Sequence, residues 1–179
     1  DSQGDTVWTK NYGGQDPDDS YCVKQTIDGG YIFAGSTSSH CNCAADFWLV
    51  KTNVNGDLQW DNTYREYTTG LPWPPPPGCD NPSDYEDFAF SVDEDIINTG
   101  GYILTGMSSR QSNGDEINCY VVRTDLQGDT LWTKRFGRPY TRNEVGYDVQ
   151  QTDDGGYIVV GVVDMFDYGQ MWDPDNLDG

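Results

Sequence analysis

The sequence predicts an all-β protein assembled from copies of one four-stranded antiparallel unit, and three observations carry that expectation. A glycine-aromatic phrase occurs three times, as QTIDGGYIFAG at 25–35, NTGGYILTG at 98–106 and QTDDGGYIVVG at 151–161. A tryptophan phrase alternates with it, as GDTVWTKNYG near the start, NGDLQWDNTY from Asn55 and QGDTLWTKRFG from Gln127. No long segment shows apolar residues at the i, i+3, i+4, i+7 spacing of a helix.

The spacing defines the unit. Trp8 to Trp60 is 52 residues and Gly100 to Gly155 is 55, the fixed period of a repeated supersecondary element. Trp60 to Gly100 is 40 residues where Trp8 to Gly29 is 21, so about 18 residues are inserted there. The first complete unit reads as four strands: SYCVKQT (20–26), GYIFAGST (30–37), DFWLVKT (46–52) and DLQWDNTY (57–64). All are rich in β-branched and aromatic residues and are bounded by Gly, Asp and Asn. The IDGG, INTGG and DDGG connections are tight turns in which glycine supplies a positive φ, as are NVNGD at 53–57 and DLQGD at 125–129.

This divides the chain into 1–14, the last strand of a preceding unit; 15–64, a unit; 65–82, a proline-rich insertion; 83–137, a second unit; 138–163, a partial unit; and 164–179, an acidic tail. A four-stranded meander repeated in this way has the form of a β-propeller blade, so the expected fold is a β-propeller-like array. Closed rings take at least four blades, and these parts do not supply four. The N-terminal strand, residues 5–12, is then expected to complete the incomplete last blade, within the chain or in a neighbour. Further blades outside these residues are the other alternative. Trp8, Trp60 and Trp132, and Tyr31, Tyr102 and Tyr157, hold equivalent positions and are expected between blades, with Val23, Val92 and Val149 as first-strand core.

The DGGYI-aG … vKt…nGd--W-k-yGg pattern resembles the DGGYI-type β-propeller repeats of secreted bacterial cell-surface proteins. The resemblance covers nearly the whole chain apart from 65–82 and the last dozen residues. It implies an extracellular or cell-surface setting. From the repeat and its incomplete last blade, the expected role is non-enzymatic, structural or adhesive, extending to a self-assembling filament subunit stabilised by calcium.

Composition narrows the partners. Thirty Asp plus Glu stand against 10 Lys plus Arg, a net charge of -20, which argues against nucleic acid and favours cations. No run approaches 18 apolar residues, so no membrane-spanning helix is expected. The chain opens in mid-repeat, as a processed or excised protein would. Its five cysteines include no CxxC pair and it has one histidine, a poor match to structural zinc and a better one to extracellular disulfides.

In a meander the tight turns share one face and the irregular loops share the other, where binding residues concentrate. Calcium, which takes several oxygen ligands, is the expected cofactor. Asp16, Asp18 and Asp19 are candidate ligands, with Asp173, Asp175 and Asp178 of DPDNLDG, a partial match to a calcium loop whose fifth place holds Leu177. Tyr67, Trp73, Tyr85, Asp84 and Asp87 are candidate contacts for a glycan. Four successive prolines at 74–77 favour a stiff polyproline II rod. Cys79 ends that stretch, and a bridge from it to Cys43, or to Cys41, would pin it. His40 reads as a lone surface histidine. The competing function is a glycan-binding or glycan-active enzyme domain using acids and aromatics of the irregular face.

Overall fold

The turns fix the architecture. In the computed structural model, which describes residues 2–40, 45–65, 86–110, 116–137 and 143–164, each tight turn closes on its own side chain. Thr26 N–H bonds the Gly30 carbonyl at 3.0 Å, while the Asp28 carboxylate accepts from Gly30 N–H at 2.9 Å and Thr26 Oγ1 at 2.5 Å. Thr152, Asp154 and Gly156 repeat this arrangement at 2.9, 2.5 and 3.0 Å. The second kind of turn is an Asx turn. Asn53 Oδ1 accepts from the amides of Asn55 and Asp57, and Asp125 Oδ1 from those of Gln127 and Asp129, all at 2.9 Å.

Ten strands result: β1 (Asp18–Gln25), β2 (Tyr31–Thr37), β3 (Asp46–Thr52), β4 (Leu58–Tyr64), β5 (Asp87–Glu94), β6 (Tyr102–Arg110), β7 (Glu116–Thr124), β8 (Thr130–Phe136), β9 (Asn143–Gln151) and β10 (Tyr157–Asp164). The fold is all-β, with no helix among the described residues. β1–β4 form one antiparallel meander, and β5–β8 form another. β9 and β10 form a hairpin, joined to the second meander by a single parallel pair, Ile117 with Asn143.

The sheets stack face to face, β5 against β1–β3 and β9 against β5–β7. Both faces of the second sheet are therefore covered, which explains a strand without polar alternation such as β7, buried from Asn118 to Thr124. Ile32, Ala34, Phe47 and Leu49 of the first sheet meet Val92, Tyr102, Leu104, Tyr120 and Val122 of the second. The opposite face of the second sheet, Ile103, Cys119 and Val121, packs on Val149 of the hairpin.

One seam recurs between units. The Trp60 ring meets Tyr102 at 5.8 Å, and Trp132 meets Tyr157 at 6.0 Å. Tyr64 Oη donates to the Gly128 carbonyl at 2.7 Å. Gly128 lies directly under Trp60: a Cβ there would stand 2.8 Å from the indole, and its φ of +83° suits glycine in any case.

Residues 5–12 depart from expectation. They join no ladder and so form no strand, because three sister strands are missing beside them. They nevertheless make the same seam on the first unit. Trp8 meets Tyr31 at 5.8 Å, Tyr12 Oη donates to the Gly56 carbonyl at 2.7 Å, and Lys10 pairs with Asp57 at 2.9 Å. Among the described residues they lie nowhere against β9 or β10, so completion of the last unit within the chain is not what this structure contains. Val23 is a second correction. Val92 and Val149 are fully buried as expected, but Val23 is 63% exposed because no sheet among the described residues lies against its face.

Candidate functional site

The feature that departs furthest from plain stacking lies on the first strand of each unit. β1, β5 and β9 each carry a β-bulge at the same place. Pairing steps from Ser20 to Cys22, from Ala89 to Ser91 and from Gly146 to Asp148, leaving Tyr21, Phe90 and Tyr147 without a cross-strand partner. A bulge bends the strand and re-aims the side chain of the extra residue. The repeated glycine of the second strand makes room for it. A Cβ on Gly35, Gly106 or Gly161 would fall within 1.8 or 1.9 Å of the carbonyl oxygen of Asp19, Phe88 or Val145 on the bulged strand.

Three aromatic rings thereby fall into a row across three units. Tyr21 lies 5.3 Å from Phe90, and Phe90 lies 5.9 Å from Tyr147, with Phe88 stacked 6.5 Å from Phe90. The outer two are open to solvent, Tyr21 at 46% and Tyr147 at 56%. Neither phenol hydroxyl has a hydrogen-bond partner among the described residues. The strand edges around the row are tied by neighbouring side chains, which blunts them against random pairing. Asp93 accepts from the Gln151 amide at 2.9 Å and from Lys24 at 3.2 Å, and Ser91 Oγ donates to Asp148 at 2.6 Å.

Sequence reasoning missed this row. Its signal was the glycine of the repeated aG, together with an aromatic two positions before each of Val23, Val92 and Val149.

The expected site residues fare differently. Asp16 and Asp19 are exposed. Asp18 instead fastens its own loop: its carboxylate accepts from Gly14 N–H at 2.7 Å, from Ser39 Oγ at 2.8 Å and from the Thr37 hydroxyl. Burial raises the Asp18 carboxyl, but the donors of Thr37, Gly14 and Ser39 outweigh it and hold the group below its ordinary value. Among the described residues no three His, Cys, Asp or Glu side chains gather as a metal site. Asp87 sits inside, 1% exposed at the head of β5. Tyr67, Trp73, Asp84, Tyr85, Asp173, Asp175, Asp178, Cys41, Cys43 and Cys79 lie outside the described residues. Cys22 and Cys119, which are described, are both free thiols.

His40 is better embedded than a lone surface histidine. It borders a cleft of about 460 Å³ beside Lys10, Tyr12 and Asp57. Its Nε2 stands 3.0 Å from Asp61 Oδ2, which also accepts from the Trp48 indole at 3.0 Å, and its Nδ1 lies 3.4 Å from Thr37 Oγ1. The Thr37 hydroxyl is buried and donates to Asp18, so it offers no nucleophile.

A buried polar knot joins the second unit to the hairpin. Arg123 reaches Asp95 and the Gly100 carbonyl, and its Nε donates to Tyr157 Oη at 2.7 Å. Burial raises the Asp95 carboxyl, but bonds from Asn98, Tyr157 and Gln151 win and hold it well below the usual carboxylate range. Lys51 is the counterpart in the first unit, bonding Asp28 at 2.8 Å. The Lys51 hydrogen bond leads in pulling the Asp28 carboxyl down to about 2.

No helix among the described residues is long and apolar enough to cross a membrane. No protein-family profile matches the chain, and no curated protein matches it in sequence.

Proposed function

We propose that this chain is a run of β-propeller-type blades with a non-enzymatic, structural or adhesive role in an extracellular or cell-surface setting, extended at both ends by further blades of the same kind. One observation carries the reading: the seam made between the two complete units, and again between the second unit and the hairpin, is left half-made at each end. At the amino end, residues 5–12 hold a fourth-strand position without sister strands, and the Val23 face is bare. At the other, β10 leaves Ile158, Val160 and Val162 uncovered, although Ile32, Ala34, Ile103 and Thr105 at the matching positions are buried. Surfaces patterned for burial mark interaction sites. The added blades come from a longer chain or from a second copy, and head-to-tail addition that does not close gives a filament. Calcium bound by the exposed acids would offset part of the -20 net charge and strengthen such stacking.

Light scattering and negative-stain microscopy on the isolated chain, with calcium and then with chelator, test the proposal. The expected result is self-association that Val23→Asp or Ile158→Asp abolishes without lowering the melting temperature. A chain that stays monomeric at its solubility limit, with and without calcium, would overturn the stacking role.

A further inference from the structure

The row of bulge aromatics is more than packing between units. We propose that Tyr21, Phe90 and Tyr147 form a docking track for a neutral polysaccharide strand, which deepens the adhesive role proposed for the chain and rests on it. Four features of the row lead there.

First, the track is periodic. Three units present the same bulged position at successive ring separations of 5.3 and 5.9 Å, so its natural occupant is a polymer with its own short repeat rather than a compact molecule. Second, the device is built at a cost. Three bulges interrupt three ladders, and a glycine on each second strand, Gly35, Gly106 and Gly161, gives up its side chain to admit them. Bulges are over-represented where a side chain must be re-aimed at a ligand.

Third, the chemistry is amphipathic. Each terminal ring offers an apolar surface and a phenol hydroxyl without a protein partner, matching a sugar's C–H face and its hydroxyl rim. Fourth, charge excludes the main competitors. A net charge of -20 repels nucleic acid, acidic polysaccharides and anionic lipid surfaces, while an uncharged chain is not penalised. A proline-rich peptide also docks on aromatic rows, and polyproline is therefore the control in the test.

The test is affinity electrophoresis of the full chain in native gels cast with soluble neutral polysaccharides (a mixed-linkage glucan, a xyloglucan, a galactomannan and a xylan), alongside a gel containing polyproline. Retardation by at least one polysaccharide is expected. Tyr21→Ser combined with Tyr147→Ser should weaken it by about tenfold or more, the equivalent of one well-packed aromatic contact. The pair Tyr21→Phe and Tyr147→Phe, which keeps the rings and is the safeguard against misfolding, should weaken it by a smaller factor. Ile158→Asp, which breaks unit stacking and leaves the row intact, should retain binding in the monomer, so failure of stacking and failure of glycan binding are read separately. Mobility unchanged in every polysaccharide gel, retardation indifferent to the serine pair, or retardation by polyproline alone would each overturn the proposal.

Discussion

Ile103 and Ile158 hold the same place in two copies of one unit, the second residue of the second strand. Ile103 is fully buried and Ile158 is 54% exposed. Their local sequences, GGYILTG and GGYIVVG, differ little, and both are paired on one side by the first strand of their own unit. The difference lies in what surrounds them. The hairpin β9–β10 covers the Ile103 face and β7 flanks it in its own sheet, whereas β10 is an edge strand whose Ile158 face no described residue covers. Burial in this molecule is thus decided by the neighbouring strands and units, while conformation is decided within the turn and strand.

The sharpest way to break that comparison is at the third-strand cation. Arg123 and Asp95 are both buried, whereas the partner of buried Lys51, Asp28, is half-exposed. Asp95→Ala leaves a guanidinium buried without its carboxylate and should cost about 3–5 kcal/mol. Asp28→Ala should cost about 1 kcal/mol or less, because solvent reaches the carboxylate it removes. Urea unfolding measures both. Acid separates them further. Both carboxyls sit below their unfolded value of roughly 3.9, so each contributes stability above that pH and loses it as pH falls through the folded value. For Asp28 the folded value is about 2, so the melting temperatures of the wild type and Asp28→Asn should converge between pH 4 and pH 2.

Next comes the isoleucine pair itself. Ile103→Ala opens a cavity between two stacked sheets and should cost about 2–5 kcal/mol. Ile158→Ala should fall within about 0.5 kcal/mol of the wild type in the monomer. A large loss at Ile158 in a monomeric sample would mean that its face is covered after all.

The glycines give the third contrast. Gly106 faces a bulge, and an added Cβ would strike the Phe88 carbonyl oxygen at 1.8 Å, so Gly106→Ala should cost about 1–3 kcal/mol through forced backbone movement. Gly29 has open space around it and a φ of +82°, so Gly29→Ala should cost only the conformational penalty, about 1 kcal/mol. Equal losses would mean that the bulge yields freely. Hydrogen exchange at Phe90 should rise in the first variant and stay unchanged in the second.

These contrasts also mark what the sequence makes legible. The turns read correctly because Asp28, Asn53 and Asp125 accept from amides, and Thr26 donates to Asp28, all within four residues, a range that spacing exposes. The Trp–Tyr seam read correctly because its residues recur in register. The bulges did not, since two residues opposing one becomes visible only when the partner strand's register is known. Asp18 looked like one more exposed acid, and its bond to Ser39, 21 residues away, has no local signature. Val23 carries the same pattern as Val92, and only the absence of a preceding sheet exposes it.

The smallest contrast tests whether the seam on the first unit equals the one between complete units. Tyr64 Oη and Tyr12 Oη each donate to a turn carbonyl at 2.7 Å, Gly128 and Gly56 respectively. Tyr64 is buried, so Tyr64→Phe strands a carbonyl away from water and should cost about 0.5–1.5 kcal/mol. Tyr12 is partly open and its segment has no ladder to hold it, so water replaces the lost bond and Tyr12→Phe should cost a few tenths of a kcal/mol at most. Paired denaturant titrations read the difference. If a further blade supplied the three sister strands, residues 5–12 would gain a ladder and Tyr12 would be enclosed as Tyr64 is. The Tyr12→Phe cost should then rise to match that of Tyr64→Phe in the assembled material, and a Tyr12 cost unchanged by assembly would place the contact between copies elsewhere on the molecule.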